Sequence, residues 1–226
     1  MINRLSMIQT KEMLCTVCDH VIREKERLTR LDGSIGDGDH GIGMSRGMMN
    51  AKVALADSDP DTINDLFYLM GRFLLSTMGG SSGVIFGTMF MGAVTGMDKK
   101  TELDCQTFTL MMRRALEAVK EKGRAHPGEK TMVDALEPAV LAMESLETDD
   151  FTFLFKSAAM AATQGAESTR DMISKHGHSK TLGARALGHP DPGAVSVAVI
   201  LRAMTDYLDQ LKQVKSQEEL HDPQER

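Results

Sequence analysis

Phe108-Thr109-Leu110-Met111-Met112-Arg113-Arg114-Ala115-Leu116-Glu117-Ala118-Val119 decides the fold class. Phe108, Met111, Met112, Ala115 and Val119 recur at three- and four-residue steps. That spacing gathers them on one face of an α-helix and leaves Arg113, Arg114 and Glu117 on the other. The same spacing returns at Leu14, Val17, Cys18, Val21, Leu28 and Leu31, and again at Val197, Ile200, Leu201, Met204, Leu208 and Leu211. Period-two alternation is absent apart from a short apolar patch at 194–200, which reads better as buried helix. The expectation is an all-α fold of about eight helices separated by short Gly- or Pro-bearing joints.

The chain has 226 residues, 42% hydrophobic and 26% charged, which suits one globular domain and excludes wholesale disorder. Residues 1–212 are expected to form that domain, with 213–226 a polar, frayed tail. The net charge of −6 disfavours a nucleic-acid or anionic-membrane partner, since both need a basic face. The most apolar run, 84–97, is broken by Gly87, Gly92 and Gly96 and falls short of the ~20 residues of a membrane span. It is expected to be a central helix against which neighbours pack closely. Aromatic residues make up only 4% with no Trp, against 18 Met, so an all-β sandwich or a base-stacking platform is excluded. Three cysteines build no disulfide framework, and Cys15 and Cys18 lie on an amphipathic helix where they read as core residues. The start shows no signal-peptide pattern, so the protein reads as cytoplasmic.

Four Gly-rich polar joints interrupt the helices. The first, Leu31-Asp32-Gly33-Ser34-Ile35-Gly36-Asp37-Gly38-Asp39-His40-Gly41-Ile42-Gly43, packs three carboxylates into eight residues. Like charges so close repel unless a cation or solvent separates them, so the stretch reads as a metal site or as a solvated turn, and as a metal site its hard oxygen ligands on a loop suit Mg²⁺ or Ca²⁺ over Zn²⁺. Gly36-x-Gly38-x-x-Gly41 spells a dinucleotide fingerprint but follows a helix, not the strand that motif requires. An EF-hand from Asp37 puts Ile42 where Gly is needed and Met48 where Glu belongs. The second joint, Gly79-Gly80-Ser81-Ser82-Gly83, reads as a serine-capped helix start, whose free amides and dipole make an anion site. The third, 123–132, misses a Walker A motif because Glu129 separates Gly128 from Lys130-Thr131. The fourth, 175–194, holds His176, His178 and His189 without the Cys cluster or His-Glu-x-x-His helix of a zinc site. Asp191 before Pro192 has the order of an N-cap and first helical residue.

Together these motifs resemble the nucleotide-binding L subunit of bacterial dihydroxyacetone kinases over nearly the whole chain. The resemblance rests on Leu31-Asp32-x-x-Ile35-Gly36-Asp37-x-Asp39-His40-Gly41 with Met44-x-Arg46-Gly47, and on Gly79-Gly80-x-Ser82-Gly83-x-x-Phe86-Gly87-Thr88. It continues in Pro127-Gly128-x-Lys130-Thr131-Met132-x-Asp134, in Leu182-Gly183-x-Arg185 and in Gly188-His189-x-Asp191-Pro192-Gly193-Ala194. It implies an antiparallel eight-helix barrel with the nucleotide at one end. It further implies that Asp32, Asp37 and Asp39 hold two Mg²⁺ ions and serve catalysis. By the same resemblance His40, Gly41, Ile42, Gly43, Ser81 and Ser82 line the phosphates of ADP or ATP. Gly123, Met132, Asp191, Pro192 and Gly193 would surround base and ribose, with His178 nearby.

Gly43 stands where the family often has Asn, and His178 where it has Arg, which bears on substrate and donor preference. The implied partner is a K subunit that holds dihydroxyacetone or another small ketose such as erythrulose. A phosphoenolpyruvate-dependent phosphotransfer protein is the implied donor if ADP is rephosphorylated in place. A homodimer is compatible with this reading. Arg46 is expected on the rim that meets the partner. The alternatives are a nucleotide-sensing module docked on a transcription factor and the nucleotide domain of a fatty-acid kinase, which shares the Asp loop.

Overall fold

The computed structural model describes the backbone of residues 1–221 and the side chains of residues 1–214. All three apolar repeats are helical. The first is divided at Glu24 into α1 (Met7–Arg23) and α2 (Lys25–Ile35), the second is α6 (Cys105–Gly123), and the third lies in α9 (Pro192–His221). The others are α3 (His40–Asp57), α4 (Ile63–Thr77), α5 (Gly80–Val94), α7 (Val133–Glu144) and α8 (Phe151–Ser168). Polar residues start them where amides would otherwise be orphaned. Ser6 and Gln9 form a capping box on α1, while Thr62, Asp104 and Asp150 accept amide hydrogens at the starts of α4, α6 and α8.

Eight of these helices close a ring. From α3 through α9 each helix packs on the next, and α1 closes the circle between α9 and α3. The smaller α2 lies outside the ring against α3. The interior is one apolar core in which Phe108, Phe151 and Phe155 cluster, with centroids 4.9 to 6.2 Å apart. Met44, Met48 and Met89 fill the same core, whereas Met49 is exposed and Met91 and Met97 are half-buried. Within the apolar run, Gly87 lets α5 lie against α4 so closely that a Cβ there would stand 2.9 Å from the Gly71 carbonyl oxygen. Among the described residues no helix is long and apolar enough to cross a membrane.

Short connections between packed neighbours alternate between the two ends of the ring. The end formed by 58–62, 95–104 and 145–150 is closed by the N-terminal segment. There β1 (Arg4–Ser6) pairs antiparallel with β2 (Glu102–Asp104), setting Leu5 opposite Leu103. Ile2 also donates to Asp150 Oδ1 at 3.2 Å and accepts from the Phe151 amide at 2.8 Å. Among the described residues this ribbon is the one departure from the all-helical expectation; three-residue strands carry too little pattern to be read. The other end gathers 36–39, 78–79, 124–132 and 169–191, which are the four Gly-rich joints.

The first joint is shorter than its sequence suggests. Leu31 and Ile35 keep α2 packed on the ring, and the Gly36 amide still donates to the Asp32 carbonyl, so only 36–39 leave helical geometry. The tail expected at 213–226 is continuous with α9 as far as His221; its side chains from 215 and its backbone beyond 221 lie outside the described residues.

Candidate active site

The four joints enclose a cavity of about 660 Å³, within the range of small-molecule sites. Asp32, Asp37, Asp39, His40, Ile42, Gly43, Ser81, Ser82, Gly123, Met132, His178, Asp191, Pro192 and Gly193 all line it. Gly41 does not. It faces away, against α2, where a Cβ would lie 2.5 Å from the Thr29 nitrogen and would also strike the Lys25 carbonyl and Thr29 Oγ1.

At one wall Asp32, on the last turn of α2, meets Asp37 and Asp39 from the loop, and one carboxylate oxygen from each lies within 4.8 Å of the others. Asp32 Oδ2 accepts from the His40 amide at 3.1 Å, which ties the cluster to the start of α3. Gly36 has no room for a side chain, since a Cβ would come 3.1 Å from the Asp32 carboxyl carbon. Partial burial, then Asp37 and Asp32, push the Asp39 carboxyl above its usual range, as expected when carboxylates crowd without a cation. An all-oxygen, acidic donor set of this kind fits Mg²⁺. Among the described residues no other group of three His, Cys, Asp or Glu side chains is placed to share an ion. Burial raises the Cys15 and Cys18 thiols, in keeping with core residues.

The start of α5 lines the same cavity. The expected serine caps are absent: Gly79, at φ 79°, is the N-cap, no side chain covers the first amides, and Ser81 and Ser82 sit inside the first turn. A left-handed φ followed by a second positive φ at Gly80 turns the chain sharply and leaves those N–H groups free for an anion. Arg46 supports this turn by donating Nε to the Thr77 carbonyl at 2.6 Å and Nη2 to that of Met78. It is therefore part of the site's scaffold, and a rim substitution there would also disturb the anion-binding turn.

The third joint is built around two residues of the Pro127–Asp134 motif that carried no assigned role. Asp134, buried on the first turn of α7, accepts from the Gly128 amide at 2.5 Å and the Thr131 amide at 2.8 Å. Lys130, only 1% exposed, takes a left-handed φ of 59° and donates Nζ to the Thr169 and His189 carbonyls, each at 2.5 Å. The third and fourth joints are thus bound together, which holds Met132 beside Gly193. Glu129 adds a second link, accepting from the His126 amide and facing His176 Nε2, each at 2.8 Å; that contact and the amide hold its carboxyl down to about 2. A capping Asp three residues after Thr131 was the available signal for this hub, hidden in a stretch that reads as charged loop. His178, well exposed, reaches Asp37 at 3.3 Å. It therefore touches the carboxylate cluster.

Asp191 caps α9 as its order predicts, accepting from the Ala194 amide at 2.8 Å, while its own amide donates to Thr169 Oγ1 at 2.8 Å. Enclosure in the cavity wall raises its carboxyl to about 7, the Ala194 amide opposing. A folded-state pKa above the free value means the protonated form is favoured by folding. The stability this group contributes is complete below about pH 4 and is lost as pH rises through about 7. Asp191→Asn keeps a capping oxygen and removes the titration. In nucleotide-free protein without Mg²⁺ its unfolding midpoint is expected to gain on wild type between pH 5 and pH 8. Parallel pH profiles of the two proteins would contradict this.

Residues 34–206 match the DAK2 domain. The chain is 37% identical over 186 residues to the ADP-binding subunit DhaL of a PEP-dependent dihydroxyacetone kinase of Listeria innocua, covering 82% of this chain and 89% of that protein. It is 35% identical over 205 residues to the subunit of the same name in Escherichia coli K12, covering 88% and 96%. The fold matches a crystal structure of the C. freundii dihydroxyacetone kinase in complex with AMP-PNP and Mg²⁺. The TM-score is 0.69 at 26% identity, over 90% of this chain and 34% of that longer one.

Proposed function

The chain belongs to the DAK2-domain family, and from that membership we propose that it is the ADP-binding, phosphoryl-transferring subunit of a small-ketose kinase. The observation that carries this reading is that three clustered carboxylates and an uncapped helix N-terminus line one cavity. Asp32, Asp37 and Asp39 would hold two Mg²⁺ ions, which neutralise charge on the transferring phosphoryl group when bound. The first amides of α5 would hold phosphate oxygens in place, and the Gly79 turn braced by Arg46 keeps those donors preorganised. Met132 and Gly193, fixed by Lys130 and the Asp191 cap, would grip the base and ribose.

On this reading the carboxylate cluster, the start of α5 and the Met132–Gly193 wall of the cavity serve nucleotide and metal. The acceptor, dihydroxyacetone or a related ketose such as erythrulose, would therefore be presented by a partner K subunit seated over the open end, bringing its hydroxyl within ~3.5 Å of the phosphorus. The PEP-dependent relatives support a donor route in which ADP stays bound and is rephosphorylated by a phosphotransfer protein.

Protein purified without added nucleotide is expected to carry ADP. After its removal with a chelator, ADP should rebind only when Mg²⁺ is restored, as read by titration calorimetry. Equal ADP affinity with and without Mg²⁺, or none in either condition, would overturn the reading.

A further inference from the structure

His40 begins α3 beside the carboxylate cluster, but its ring turns inward against Phe86, with centroids 6.1 Å apart. Each ring nitrogen faces a serine: Nδ1 lies 3.3 Å from Ser82 Oγ and Nε2 lies 2.9 Å from Ser196 Oγ. Ser196 is wholly buried on the first turns of α9 and donates its proton to the Pro192 carbonyl at 2.9 Å. A hydroxyl has one proton. With that proton committed to a carbonyl, the Ser196 oxygen can only accept from the imidazole, so Nε2 carries the hydrogen. In a neutral ring Nδ1 is then bare and accepts, so the Ser82 hydroxyl donates to it. The direction of every bond from Ser82 through to Pro192 is set by the Pro192 carbonyl, which can only accept.

We propose that Ser196 is a positioning residue of the transfer site: it holds His40 as the Nε2–H tautomer, which turns the Ser82 hydroxyl proton away from the ligand. Ser82 would then offer phosphate oxygens its backbone amide and a cation its oxygen lone pairs. The same chain of bonds ties together the starts of α3, α5 and α9, the three helix ends that carry the carboxylates, the free amides and the Asp191 turn. Its consequence for transfer rests on the function proposed above, whereas its geometry does not.

The test is a long-range proton–nitrogen spectrum of the histidines in the full, nucleotide-free chain labelled with ¹⁵N. His40 is expected to show a protonated Nε2 and a bare Nδ1. In Ser196→Ala a second tautomer should appear at His40, and transfer to ketose with a K subunit should fall roughly tenfold, as for other outer residues that orient a histidine. The apparent affinity for ADP should hold within about twofold while turnover drops, since the phosphate-binding amides are untouched. Ser196→Thr, which keeps the hydroxyl, should restore the single tautomer and turnover. Should Ser196→Ala not fold, Ser82→Ala decides, and loss of its donor should shift the Nδ1 resonance alone.

A wild-type Nδ1–H tautomer overturns the proposal. So does a Ser196→Ala protein with unaltered tautomer and turnover, or an unmoved Nδ1 in Ser82→Ala. If His40 shows the expected tautomer but no ketose is phosphorylated with any partner, the functional reading fails and the tautomer assignment stands.

Discussion

Asp39→Ala and Asp37→Ala are each expected to abolish phosphoryl transfer, by roughly a thousandfold or more, while the protein remains folded. Removing one group that stabilises transition-state charge costs about a hundred- to a thousandfold, and loss of a metal ligand removes such stabilisation together with the phosphate's position. The fold does not need these carboxylates. Both are exposed, and neither packs in the core. Asp39 titrates above its usual range because burial and Asp37 disfavour its charge, so its stabilising contribution is present at low pH and lost as pH rises. At neutral pH, without Mg²⁺, either substitution should leave the unfolding midpoint unchanged or raised. With Mg²⁺ and ADP, wild type should gain stability that the variants do not, because ligand binding to the folded state alone adds to its stability. Thermal unfolding with and without Mg-ADP, beside a transfer assay with a K subunit, measures both effects. Wild-type turnover in either variant would remove the metal assignment.

Gly41→Ala is the second large effect, and it reads on the fold. The added methyl would fall among the Lys25 carbonyl, Thr29 Oγ1 and the Thr29 nitrogen, all backbone or short side chain of α2 with no flexible end to swing aside. Either α2 is pushed off α3 or the site rearranges, and overpacking of this kind costs about 1–3 kcal/mol or more. Because α2 carries Asp32 on its last turn, the displacement would also spread the carboxylate cluster. Lower stability in denaturant titration is therefore expected together with weaker Mg-dependent ADP binding. Gly43→Ala is the control: a Cβ there meets only the Met78 carbonyl group, at 3.2 Å from its oxygen, so the change in stability should be smaller. Equal stability of Gly41→Ala and wild type would show that α2 is not held in this way.

The contrast between these glycines shows what the sequence could and could not convey. Helical periodicity at Phe108–Val119 and its relatives was plain, because each helix buries one face in the ring, and the four joints stood out because Gly, Pro and Asp break that period. The carboxylate cluster was legible as a candidate from residue type, while its convergence, one oxygen of each acid within 4.8 Å of the others, was not. That Gly41 also serves close packing against α2 is not legible, because motif spelling does not say which way a helix start faces. Ser81 and Ser82 were read as caps from their composition, whereas the left-handed Gly79 takes the cap and frees the amides. Arg46 is exposed beside the cavity, and what residue type does not announce is that it also donates to the Thr77 and Met78 carbonyls. Lys130, Asp134 and Ser196 depend on contacts across 39 to 156 residues of sequence or on a local cap inside a loop, and no periodicity reports such contacts.

Whether the chain transfers phosphate only beside a ketose-binding partner is read by one reconstitution. The purified chain is incubated with Mg²⁺ and dihydroxyacetone, with and without a ketose-binding K subunit, and supplied with ATP or with a phosphoenolpyruvate-dependent phosphotransfer system. Dihydroxyacetone phosphate is then measured. Product is expected only when the K subunit, Mg²⁺ and a phosphoryl donor are all present, with the chain alone showing no more than slow, Mg²⁺-dependent nucleotide hydrolysis. Efficient phosphorylation of the ketose by the chain alone, or none with the complete set, would contradict the account.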